Sequence, residues 1–193
     1  MSSLVGHLSA GVAVYLGHSS WSNKEERHLL PPCVLLAVLP DFDYFALWLF
    51  NVVQEPRFTH SLAFCLMTSA IAWFVLRLRH GSGVRTLVAL SLASCSHPIL
   101  DLLVGVHPVP IWWPFPVPEF QSPIGLLPSA GHLNPANYYL WRNLLIECGV
   151  LLPTFAFLVA VSRAVPIRAS WPIGAILLPI WVAFLSWSIH VHS

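Results

Sequence analysis

Two residues four apart inside an apolar run suggest chemistry first: His97 and Asp101, within Ser96-His97-Pro98-Ile99-Leu100-Asp101. On a helix, positions i and i+4 share a face. An imidazole nitrogen would then stand beside a carboxylate oxygen, a pairing that suits a divalent metal such as zinc. An ionisable residue in hydrocarbon is costly and by default marks function; the plainer alternative is a buried His–Asp pair that bonds only itself. Further candidates punctuate the other apolar runs: His7, Asp41 and Asp43, Arg57 and His60, and Glu147. The set mixes imidazoles with carboxylates and contains no cysteine. That is the donor set of catalytic zinc or mixed di-metal hydrolase sites, whereas structural zinc prefers thiolates. Two or three ions about 3.5–4 Å apart can clamp a phosphoryl group and activate a water, with Asp101 as the candidate bridge. Arg57 either meets a phosphate, orients a carboxylate, or merely snorkels to an interface. Thr59 and Ser61 read as caps of the run that follows. No GxSxG elbow supports a serine nucleophile. His107 and His132 are possible extra ligands, His18, His28 and His80 read as solvated loop residues, and His190 and His192 as tail.

These side chains must be positioned by elements that live in a membrane. The chain is 56% hydrophobic and only 9% charged, against roughly 25% charged in a soluble domain, so it reads as a polytopic, all-α membrane protein. The 193 residues suit a single domain spanning 1–193. A net charge of +1 gives no reason to expect nucleic acid. The four cysteines stand singly in apolar runs and read as small buried hydrophobes.

Six apolar runs follow in order, implying about five to six transmembrane or membrane-embedded helices. Leu4 to Leu16 is barely long enough to cross. Leu29 to Phe50 is broken at Pro40, and a broken helix at membrane depth is tolerated where the freed backbone lines a cavity. Ser61 to Leu76, Val84 to Val106, Asn143 to Val161 and Trp171 to Val191 complete the set. Residues 107–142 form a non-spanning segment rich in proline and aromatics, a candidate lid or binding loop. If all six runs cross, Lys24, Arg27, Arg77, Arg79, Arg85, Arg163 and Arg168 share one side, cytoplasmic by the positive-inside rule. Arg57 and Arg142 share the other. Under that threading His7, Asp41, Asp43, His60, His97, Asp101 and Glu147 all reach the non-cytoplasmic end.

At these residues the chain resembles the bacterial membrane-bound metal-dependent hydrolases of the YdjM-like group, known as LexA-binding inner-membrane hydrolases. The matching motifs are Gly6-His7-Leu8, Leu39-Pro40-Asp41-Phe42-Asp43, Arg57-Phe58-Thr59-His60-Ser61 and Ser96-His97-Pro98-Ile99-Leu100-Asp101; Trp113-Pro114-Phe115 and the Glu147 helix follow in order. That group is distantly similar to zinc-dependent phospholipase C and the S1/P1 nucleases, all-helical enzymes with a trinuclear zinc cluster. The resemblance implies an inner-membrane location and His7, Asp41, His60, His97 and Asp101 as metal ligands. In this chain the later His-x3-Glu pair of the phospholipases is replaced by Asn143-x3-Glu147, and the usual His-Arg-Gly before Thr-His-Ser by Glu55-Pro56-Arg57-Phe58. Those departures favour one or two ions over three.

The expectation is therefore a multi-pass inner-membrane hydrolase holding one to three divalent ions, zinc first, with Asp43, Arg57 and Glu147 as catalytic groups. Its substrate would be a small-molecule or lipid-linked phosphoester, with membrane lipid as its surroundings. The rivals are an ion- or proton-coupled transporter, since intramembrane His, Asp and Glu also build ion pathways, and a non-catalytic membrane partner protein whose polar residues only pin helices together.

Overall fold

Proline and glycine punctuation sets the lengths of the helices, and those lengths decide which of them can cross a bilayer. In the computed structural model, residues 3–19, 26–50, 56–105, 108–122, 125–128 and 136–192 are described. They form α1 (Leu4–His18), α2 (Leu30–Val38), α3 (Asp43–Phe50), α4 (Leu62–His80), α5 (Val84–Val104), α6 (Tyr138–Ser162) and α7 (Ile167–His192), with no strand beyond the isolated bridge Val109–Phe120. The expected all-α membrane bundle is what the chain forms.

Among the described residues four segments are long and apolar enough to cross a membrane: Leu62–His80, Val84–Val104, Tyr138–Ser162 and Trp171–Val191. Their outward faces present Leu66, Ile71, Phe74, Leu92, Phe157 and Ile176 to the surroundings, as lipid contact requires. The premise that all six runs cross is corrected. With 15 residues, α1 rises only about 22 Å, short of the roughly 30 Å hydrocarbon core. It is instead an inner helix packed against α2, α5 and α6. Gly11 permits this, because a Cβ there would lie 2.7 Å from Val34 Cα and 2.8 Å from Cys33 O. The second run splits into α2, a 3₁₀ turn over Leu39–Phe42, and α3. Proline removes the N–H that would continue the ladder, and helix resumes at Asp43 after the turn. Neither half is long enough to cross.

Chain direction nevertheless alternates as expected. Arg163, at the end of α6, donates from Nε to Leu16 O at 2.6 Å and from its terminal nitrogen to Ser19 O. His28 stacks on His80 with ring centroids 4.0 Å apart; His28 is half-buried there, not simply solvated. The basic residues Arg77, Arg79, Arg85 and Arg163 thus gather at one end, and the end of α5 that carries Asp101 lies at the other. At that second end Leu126 and Leu127 donate to Leu103 O, and Leu62 donates to Ile111 O. The α6 helix starts at Tyr138, five residues earlier than the hydropathy pattern implied. Asn137 caps it by accepting from Tyr139 N at 3.0 Å, so the non-spanning segment ends there and not at residue 142.

Two apolar clusters hold the bundle. One joins Ala10, Leu100, Val104, Leu127, Val150 and Leu151, and the other joins Tyr15, Leu29, Cys33, Leu36, Leu90 and Ala93. Both α1 and α5 contribute to each cluster, which fixes the relative placement of His7, His97 and Asp101.

Candidate metal centre

Pro98 falls inside α5 without ending it, and His97 and Asp101 keep the one-turn relation. The missing proline N–H leaves Ser94 O without its usual partner; Cys65 Sγ, 3.5 Å away on α4, donates to it instead. Pro40 has a parallel consequence. It lacks the N–H that a 3₁₀ turn would send to Ala37 O, and His97 Nδ1 takes that carbonyl at 2.8 Å. A carbonyl only accepts, so His97 Nδ1 carries the proton and Nε2 carries the lone pair.

His60 is set in the same way by a different partner. Thr59 donates its hydroxyl to Asp43 Oδ2 at 3.1 Å and stands 3.0 Å from His60 Nδ1. With its one proton given to the carboxylate, Thr59 accepts from His60 Nδ1–H, and Nε2 of His60 also bears a lone pair. Burial first, then His97 and the Arg57 charge, push the His60 imidazole down to about 2, which keeps it neutral. Asp43 is held in turn by Arg57, whose Nε and terminal nitrogen reach its two oxygens at 2.9 and 2.8 Å. The Arg57 guanidinium also lies 4.7 Å from the centre of the Tyr44 ring. Arg57 therefore orients a carboxylate, and the snorkelling alternative is set aside.

The two Nε2 atoms face each other at 3.3 Å. Asp101 Oδ2 lies 3.4 Å from His60 Nε2 and 3.5 Å from His97 Nε2. Asp41 Oδ1 lies 3.9 and 3.6 Å from the same two atoms and accepts no hydrogen bond among the described residues. An ion with four tetrahedral bonds of about 2.0–2.2 Å separates its ligand atoms by about 3.3–3.6 Å. Four of these five edges, 3.3–3.6 Å, match that spacing, and the fifth, His60 Nε2 to Asp41 Oδ1, is longer at 3.9 Å. Two imidazole nitrogens and two carboxylate oxygens, one of which (Asp41 Oδ1) accepts no hydrogen bond among the described residues, are electrostatically complementary to a cation, so the ligand set fits a divalent metal.

His7 completes the group. Its Nε2 is 3.7 Å from Asp101 Oδ1 and 3.8 Å from Asp41 Oδ2, and its ring stacks on that of His97. His7, His60, His97 and Asp101 are buried, while the Asp41 side chain keeps 14% exposure and marks the open edge. The five residues named as metal ligands are thus brought together, from α1, the turn after α2, the turn before α4, and α5.

Asp43 stands behind His60, with Oδ2 3.7 Å from Nδ1. Glu147 is placed differently from the sequence expectation. It lies well inside α6, and its carboxylate accepts from Ser3 N, at 3.0 and 3.2 Å from its two oxygens, as Ser3 caps α1. This holds the helix that presents His7, so the contact shown for Glu147 is a positioning one. Thr59 was missed as a functional residue. The helix cap expected of it belongs to Ser61, which accepts from Phe64 N at 3.1 Å. A hydroxyl immediately before a candidate ligand histidine was the available signal. His107 and His132 lie outside the described residues.

A bundle of apolar spans around a buried His–Asp cluster open at one end defines a polytopic membrane protein with a candidate metal centre. Residues 1–190 match the family described as YdjM inner membrane protein. The chain belongs to that family and is an inner membrane protein. No match is found among curated proteins or among solved structures.

Proposed function

We propose that the chain is a membrane-bound, metal-dependent hydrolase of phosphoesters. The observation that carries this reading is the convergence of His60 Nε2, His97 Nε2 and one oxygen each of Asp41 and Asp101, the Asp41 oxygen accepting no hydrogen bond among the described residues. Zinc best suits a neutral imidazole and carboxylate donor set, and when bound it would supply Lewis acidity toward a phosphoryl oxygen and lower the pKa of a bound water to about 7. The residues around it have separable tasks. Ala37 O orients His97, while Asp43 and Thr59 orient His60. Arg57 holds Asp43 in place, and its 27% exposed side chain can attract an anion to the mouth. Asp41, at the open edge, is where a substrate oxygen first meets the cluster.

The basic residues gather at the opposite end, which by the positive-inside rule supports a site on the non-cytoplasmic side. Trp112, Phe115, Val117 and Phe120 are exposed, and the Trp113 ring lies 5.3 Å from that of Phe58, two residues before His60. Aromatic side chains of this kind favour the membrane interface, which supports a lipid-like or lipid-linked substrate. The test is hydrolysis by detergent-purified protein, stripped with chelator and reloaded with zinc. The substrates are a water-soluble phosphodiester and a phospholipid in mixed micelles. Turnover should require zinc and be lost in Asp41→Asn. A fully loaded protein that cleaves neither ester but carries ion flux in proteoliposomes would replace the hydrolase with a transporter.

A further inference from the structure

Two elements beside the cluster are apolar where a surface facing water would be polar. The first is the hairpin closed by the Val109–Phe120 pairing, whose two backbone bonds measure 2.8 and 3.0 Å. Its tip, Pro110 to Pro118, carries no charged side chain. Trp112, Trp113, Phe115 and Val117 are exposed there, Phe115 by 67%. Pro110, Pro114, Pro116 and Pro118 each fix φ, so the tip is stiff. The second element is α3, which carries no charge from Phe45 to Phe50 and leaves Leu49 and Phe50 71% and 73% exposed. A helix that is apolar all round belongs inside protein or lipid, yet α3 packs chiefly on the turn Leu39–Phe42 from which it grows.

Both elements stand at one level of the bundle. With 19 and 21 residues, α4 and α5 rise about 28 and 31 Å, matching the roughly 30 Å hydrocarbon core. Leu62 opens α4 and Gly105 follows α5, so both mark the same boundary. The hairpin is tied to each: Leu62 N donates to Ile111 O at 3.1 Å, and Gln121 Nε2 donates to Gly105 O at 3.1 Å. The start of α3 is tied to the same region through Arg57, which donates to Asp43 and, at 3.3 Å, to the Tyr44 hydroxyl. Phe58, next in the chain, has its ring 5.3 Å from that of Trp113. A connected rim thus runs from α3 through Arg57 and Phe58 to the hairpin, beside the open edge at Asp41.

From this placement we infer that α3 and the 108–122 hairpin insert into the leaflet at the Asp101 end, as two anchors joined by the Arg57–Phe58 rim. Their partner is the acyl chain of the surrounding lipid. The two surfaces are uncharged and continue the lipid-facing side of α4, which presents Leu66. At eight residues α3 rises about 12 Å, less than half of the roughly 30 Å core, so it anchors without crossing. The consequence is positional. Arg57 and Asp41 are held at the depth of lipid phosphates, and a lipid headgroup meets the cluster without leaving the bilayer. The inference rests on the membrane location of the chain and not on metal binding or hydrolysis.

The test is spin labelling of full-length Phe50→Cys and Phe115→Cys in vesicles of phosphatidylethanolamine and phosphatidylglycerol. The signal of identically treated wild type is subtracted, because native thiols also react. Both labels should collide more often with oxygen, which concentrates in lipid, than with a water-soluble nickel chelate. A label at Arg79→Cys, at the basic end, should show the reverse. Preferential collision with the chelate at Phe50 or Phe115 would overturn the inference and leave a patch bare in pure lipid, as a docking site for a protein would be. Wild type provides a second measurement if a variant fails to fold. In the same vesicles doped with a phospholipid bearing a photoactivatable diazirine in its acyl chain, lipid adducts should appear at residues 112–117 and 49–50. Adducts confined to α4–α7 would overturn the inference. Neither readout involves turnover, so anchored elements in a protein that cleaves no ester would remove the hydrolase and keep the anchors, and turnover with unanchored elements would do the reverse.

Discussion

Thr59 offers the sharpest single-atom perturbation of the cluster. Thr59→Val keeps the shape of the side chain and removes only the hydroxyl that links Asp43 to His60. His60 Nδ1 would then have Asp43 Oδ2 at 3.7 Å as its nearest acceptor, beyond the about 2.7–3.2 Å of a hydrogen bond. The ring loses the partner that fixes its tautomer and aims Nε2 at the cluster. Loss of such a supporting partner typically costs about 10–100-fold in metal affinity, or about 1.4–2.8 kcal/mol. A competition titration of zinc against a chelating dye, on protein in detergent, measures this directly. Thr59→Ser retains the hydroxyl and should stay within a few-fold of wild type. Equal affinity for wild type and Thr59→Val, or equal losses in both variants, would refute the argument that the hydroxyl orients His60.

Other consequences follow from the surrounding packing. A Cβ on Gly6 would lie 2.3 Å from Glu147 Oε1, so Gly6→Ala should displace the carboxylate and strand the buried Ser3 N–H. That costs about 1–3 kcal/mol and should lower the melting temperature in detergent; an unchanged melting temperature would contradict the Glu147–α1 contact. Arg57→Lys keeps the charge but loses the two-pronged grip on Asp43. Hydrogen bonds to charged groups contribute about 1.5–3 kcal/mol, so the variant should melt earlier and bind zinc more weakly. Wild-type values for both would mean that the pair does not support the site.

Much of the site was legible because its chemistry is concentrated in short motifs that interrupt apolar runs. His97 and Asp101 show their relation through helical spacing alone, and the alternation of basic loops brought His7, Asp41 and His60 to the same end. Three features escaped for physical reasons. Hydropathy records how apolar a run is and not whether its helix is buried in protein, so α1 reads as a marginal span although it packs inside the bundle. Glu147 shares the polarity of the cluster, but which group it bonds depends on the approach of α1 to α6, made possible by Gly6. Thr59 reads as a cap because Thr is common there; its bond to Asp43 depends on the turn after Pro40, which sequence spacing does not specify.

The most direct test of the account is the metal content of protein purified without chelator, by elemental analysis, for wild type, His97→Ala and Asp101→Ala. Both substitutions remove a donor shared by the closest pairs in the cluster. The account predicts stoichiometric divalent metal in wild type and its loss in both variants, with each variant still folded by circular dichroism. A metal-free wild type that takes up no zinc, or full metal retention in both variants, would contradict it.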